Sequence, residues 1–90
     1  MKKYIIRRNV PNIGKSPLEA RPHMAEQSCI ALDKLGTKIK WIESYVVENG
    51  SYCVYLAESI DIINKHAELS GFPADEIIEV KFVLEPSMRS

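Results

Sequence analysis

The sequence predicts an α+β domain of the ferredoxin-like type, in which two helices cover one face of a four-stranded antiparallel sheet, and three observations lead to that reading. Runs rich in β-formers stand at 3–8, 38–48, 51–57 and 78–84. Segments of helical period separate the first run from the second and the third from the fourth. Asn49-Gly50 joins the two middle runs directly, which completes a β-α-β-β-α-β order.

Strand one, Lys3-Tyr4-Ile5-Ile6-Arg7-Arg8, ends at the turn-forming cluster Asn9 to Gly14. Ser16-Pro17-Leu18-Glu19 has the form of a capping box, so a helix is expected from there. Leu18, Ala25, Cys29 and Leu32, flanked by Met24, Ala31 and Leu35, keep helical spacing as far as Gly36. Pro22 interrupts this pattern, since it removes a hydrogen bond from a helix interior. The helix therefore either kinks there or restarts there after a separate first turn. Ser59 is the expected cap of the second helix, Ile60, Ile63 and Ala67 form its stripe, and Gly71 ends it. Phe72-Pro73-Ala74-Asp75 turns the chain into a half-buried last strand in which Ile78, Val80, Phe82 and Leu84 alternate with Glu79, Lys81 and Val83, and Pro86 stops it.

The turn between the middle strands decides which side chains share a face. A two-residue Asn49-Gly50 loop groups Ile42, Ser44, Val46, Cys53, Tyr55 and Ala57, small enough in part to let helices approach. Trp41, Glu43, Tyr45, Val47, Tyr52, Val54 and Leu56 then look out from the open face. A three-residue loop with a bulge at Gly50 would move Cys53 and Tyr55 to the side of Trp41 instead, because a slip of one residue exchanges faces.

The chain has 90 residues, enough for a single domain over 1–90 with one core. Lys plus Arg equals Asp plus Glu at 12 each, so no net field favours nucleic acid or an anionic membrane. No apolar run is long enough for a membrane span or has the flanks of a signal peptide, and two cysteines without close spacing suit a reducing compartment, so a cytoplasmic location is expected. Both Cys29 and Cys53 are expected as small core residues. Nucleophile elbows, P-loops, dinucleotide fingerprints and zinc-finger spacings do not occur, so catalysis by a familiar triad is not expected.

His66 stands beside the apolar stripe of the second helix, where it would look down on Ser44, Cys53 or Tyr55. It is read either as a metal ligand with Cys53 or nearby carboxylates, imidazole and thiolate suiting nickel, zinc or copper, or as a core histidine satisfied by hydroxyls and carbonyls. His23 is expected at the surface. On the open face, Trp41, Glu43, Tyr45 and Tyr52, with Arg8 or its neighbour Arg7 and with Glu79 and Lys81, would form a polar and aromatic floor. A second copy of the chain covering that floor would create a small-molecule pocket, or would simply be a dimer interface.

Trp41 with Ser44-Tyr45-Val46, Tyr52-Cys53-Val54-Tyr55, Ala57, His66-Ala67 and Gly71-Phe72-Pro73-Ala74-Asp75 together resemble the small bacterial nickel-binding protein-like family, first catalogued as being of unknown function. Tyr4-Ile5-Ile6, Val10-Pro11 and Leu35-Gly36 extend the resemblance over nearly the whole chain. It implies a dimeric ferredoxin-like fold and nickel binding, with His66 as the ligand at a matching position; closure of the homodimer as an α/β barrel, and nickel or another divalent transition metal as cofactor, are expected with it. Pro22, and Arg7 where an acidic residue is more usual, depart from that pattern. The leading expectation is thus a metal-binding protein; the alternative is a small-molecule-binding or enzymatic dimeric α/β-barrel protein that uses the open face.

Overall fold

A computed structural model describes residues 1–89. β1 (Lys2–Asn9), α1 (Arg21–Leu35), β2 (Ile39–Val47), β3 (Gly50–Ala57), α2 (Ile60–Ser70) and β4 (Glu76–Glu79) follow one another in the expected order. The four strands form one sheet in the order β2-β3-β1-β4, with β1 antiparallel to both of its neighbours. This is the ferredoxin-like α+β arrangement. Tyr4, Ile6, Ile39, Cys53, Tyr55, Ala57 and Ile63 make the buried core between the sheet and the helices.

The helix restarts at Pro22. A short 3₁₀ turn over Leu18–Ala20 precedes α1, which places Pro22 in the first helical turn, where its missing N–H removes no helical bond. The capping box does not form: Pro17, with no side-chain hydrogen bond, occupies the cap of the 3₁₀ turn. Helix α1 buries Ser28 and Ala31, while Cys29 is exposed, which corrects its assignment to the core. Gly71 ends α2 in the left-handed conformation (φ 77°), donating its N–H to the Ala67 carbonyl at 3.1 Å.

The β2–β3 turn is not the expected one. Val47 pairs with Gly50, so Glu48 and Asn49 are the loop residues, and neither Asn49 nor Gly50 takes a positive φ. Glycine is required at 50 for a different reason: a Cβ there would collide with the Arg8 carbonyl oxygen of β1. Asn49 ties down the loop after β1, its side-chain oxygen accepting from the Asn12 N–H at 2.9 Å and its carbonyl from the Val10 N–H at 3.1 Å. The displacement of the turn preserves parity, so Ser44, Val46, Cys53, Tyr55 and Ala57 do share the helix-covered face.

One residue further on, parity breaks. A bulge at Ile42 separates the Glu43↔Val54 pair from Trp41↔Tyr55 and Ile39↔Ala57. Trp41 therefore joins the covered face and packs on the core, while Ile42 is exposed; both placements reverse the expected ones. The last strand is also shorter than expected. Glu79 pairs with Tyr4 and the Val80 N–H donates to the Lys3 carbonyl at 2.8 Å, after which β1, which opens at Lys2, offers little left to pair with. Phe82 and Leu84 are consequently exposed rather than half buried.

Candidate functional site

The alternation of β1 puts Tyr4, Ile6 and Arg8 on the covered face and Ile5 and Arg7 on the open one. Arg8 is thus 3% exposed and not on the open floor, which corrects its expected position. Arg7 stays outside and pairs with Glu76 at 3.2 Å. Arg8 Nη1 donates to the carbonyls of Phe72 (3.3 Å) and Pro73 (2.6 Å), the loop that follows α2, and its guanidinium stands 5.8 Å from the Phe72 ring centre. Its other terminal nitrogen, Nη2, is buried with no hydrogen-bond partner.

Beside it lies a buried polar trio. Ser28 Oγ, from α1, is 3.2 Å from both Tyr55 Oη of β3 and His66 Nε2 of α2. The Tyr55 and His66 rings lie 4.9 Å apart. His66 is completely buried; that burial, with the positive charge of Arg8, pushes its pKa down to about 4, so the imidazole is neutral at pH 7. Burial pushes the Tyr55 hydroxyl up. His66 Nδ1 has no partner. Ser28 belongs to the inward stripe of α1 one turn after Met24, which is the signal that would have found it.

Arg8, Tyr55 and Ser28 also border a cavity of about 480 Å³ between α1 and the β2–β3 side of the sheet. Trp41, Ser44, Val46, Ser51 and Cys53 form the rest of its floor, Met24 and Ala25 its roof, and Val10, Ile13 and Gly14 one end. Gly14 is held to the hairpin by its N–H, which donates to the Glu48 carbonyl at 3.0 Å; a Cβ there would come within 2.7 Å of the Glu48 Cα. Trp41 Nε1–H donates to Ser44 Oγ at 3.0 Å, which orients the indole, and Ser51 Oγ lies 3.5 Å from Cys53 Sγ. The floor is therefore set by hydrogen bonds and by rigid strands. A volume of this size suits a small organic molecule.

The expected site residues thus divide between two faces. Arg8, Trp41, Cys53 and His66 are brought together on the covered side. Glu43, Tyr45 and Tyr52 share the open face, where Tyr45 pairs with Tyr52 and the Glu43 carboxylate pushes the Tyr45 hydroxyl up. His23 is exposed, as expected.

For a metal, the fit is incomplete. A neutral His66 with its proton on Nε2 would offer the Nδ1 lone pair, and Cys53 its sulfur. Among the described residues, however, no three of His, Cys, Asp and Glu come together, and the Arg8 charge opposes a dication at His66.

A family model described as "nickel responsive protein SCO4226-like" matches residues 4–80. The crystal structure of SCO4226 from Streptomyces coelicolor A3(2) is similar with a TM-score of 0.74 and 16% sequence identity, covering 91% of this chain and 99% of that one, a likeness of fold. No curated protein matches the chain.

Proposed function

The chain belongs to the SCO4226-like family, described as nickel responsive, and we propose that it works as a binding protein that takes a small organic ligand into the cavity beneath α1. The observation that carries this reading is the cavity itself: about 480 Å³ left open beside a well-filled core, walled by Arg8, Trp41 and the Ser28–Tyr55 pair. The space opens to solvent past Gly14, Arg21 and Val46, so a ligand can enter it, and its concave, partly apolar wall is what small-molecule sites share. Titration with the uncharged probe N-phenyl-1-naphthylamine tests the reading. Saturable binding of this probe or of its sulfonated relative 8-anilinonaphthalene-1-sulfonate that is lost in Ala25→Trp, which fills the roof, supports it; the absence of binding by both, or binding unaffected by Ala25→Trp, overturns it.

The family's description favours a second reading, in which a divalent transition metal, nickel first, binds through His66 with Cys53. The unpartnered Nδ1 of a neutral imidazole is the observation on its side. Calorimetric titration of metal-free protein with nickel, zinc and copper decides it. Heat that disappears in His66→Ala supports the reading, and no heat, or heat unchanged in that variant, removes it.

Under either reading we propose a homodimer closed through the open face, as an α/β barrel. The support is apolar surface: Tyr45, Val47, Tyr52 and Ile78 are exposed there, and Phe82 and Leu84 extend beyond β4. Equilibrium sedimentation at micromolar concentration would show two copies, and a monomer would exclude the barrel.

A further inference from the structure

Arg8 has a charge problem that the rest of the molecule does not solve. A guanidinium removed from water is normally accompanied by a carboxylate, because a buried charge without a counter-charge is strongly unfavourable. The ion pairs among the described residues are Lys2 and Lys81 with Glu79, and Arg7 with Glu76; none involves Arg8. Its polar neighbours are two carbonyls, which use Nη1, and the Tyr55 hydroxyl, and none of them carries a charge. Asp75, close by in sequence to those carbonyls, is occupied on the surface by the Asn9 N–H at 2.6 Å. The cavity that Arg8 borders has no acidic residue in its wall, and it has a second arginine, the exposed Arg21 at the start of α1. Hydroxyls of Ser44 and Ser51 line the same floor, and Met24, Val46 and Phe72 supply apolar wall.

We infer that the ligand of this cavity is an organic anion, a carboxylate or phosphate group on an apolar body, whose charge is taken up by Arg8. The inference rests on the cavity reading above and adds the chemical class of the ligand. The Arg8 guanidinium supplies positive charge at the cavity wall and the serine hydroxyls supply donors for an anionic oxygen, while the two carbonyls hold the guanidinium in place. A cationic ligand would meet Arg8 and Arg21 with no opposite charge between them. A neutral one would leave the Arg8 charge without a counter-charge.

The test compares 8-anilinonaphthalene-1-sulfonate with N-phenyl-1-naphthylamine, which is the same body without the sulfonate, on the full chain. The anion is expected to bind at least about ten-fold more tightly, as one charge-assisted contact implies. Arg8→Met is expected to bring the two affinities together, and Ala25→Trp to abolish both. Equal affinities in the unmodified chain, or a preference that persists in Arg8→Met, would overturn the inference while leaving the cavity reading in place. Failure of both probes to bind would remove the cavity reading as well. Should Arg8→Met not fold, Arg21→Met decides: a preference for the anion that persists in it supports Arg8, and one that is lost in it overturns the inference. Displacement of the bound sulfonate by benzoate, by phenyl phosphate or by both identifies the head group, and displacement by neither would overturn the inference.

Discussion

The two helices lie on the same face of the sheet but over different ground. α2 has a clear apolar stripe and sets Ile63 and His66, both fully buried, onto the core formed by Tyr4, Ile6, Tyr55 and Ala57. α1 is longer, yet it buries only Ser28 and Ala31, and beneath its first two turns the sheet faces a cavity. One half of the covered face is filled and the other is left open. In a small domain, stability and binding compete for the same apolar surface, and here they are separated along the sheet, with Ser28, Tyr55 and His66 at the boundary.

This contrast is most directly broken by truncation on either side. Ile63→Ala should cost about 2–5 kcal/mol, as for other fully buried aliphatic residues, and Met24→Ala, half-buried over the cavity, less than about 1 kcal/mol, both read from urea unfolding. Equal losses would mean that α1 carries as much of the fold as α2.

The next effect is a pH dependence. His66 has a folded pKa of about 4 against an ordinary 6.5, so the unfolded chain binds its proton more readily than the folded one. The stability this represents is complete above pH 6.5 and is lost as the pH falls from 6.5 towards 4, up to about 3 kcal/mol. Unfolding free energies across that range should show this slope in the native chain and not in His66→Gln. Ser28→Ala should cost about 1–2 kcal/mol, since it leaves Tyr55 Oη and His66 Nε2 without their shared partner. The smallest effect is expected from Ala25→Trp: a change in melting temperature of only a few degrees, because the side chain enters space that already exists, coupled with complete loss of probe binding.

Periodicity and turn chemistry made the architecture legible, because strands of period two and helices of period 3.6 leave their pattern in composition alone. The site was legible only in part. His66, Cys53 and Tyr55 could be grouped from parity, and they do share the covered face. Arg8 could not be placed, because Tyr4-Ile5-Ile6-Arg7-Arg8 has apolar residues at both parities and reads equally well with either face inward. Trp41 was misplaced because the bulge at Ile42 has no mark of its own, such as a glycine. Asn49-Gly50 looked like a turn for local reasons, whereas both residues answer to β1: glycine because the Arg8 backbone lies against it, and asparagine because it holds Asn12. Such tertiary demands use the same residue types as a hairpin, so local pattern does not distinguish them.

The irregularity at Ile42 has an optical consequence. By turning the preceding residue inward, it places the chain's single indole in the wall of the cavity, fixed to Ser44, rather than on an open sheet face. Ultraviolet excitation at the red edge of protein absorption therefore addresses one chromophore at one location. Its emission wavelength and quenching by iodide would report the filling of that space without any attached label, and would do so independently of whichever molecule fills it.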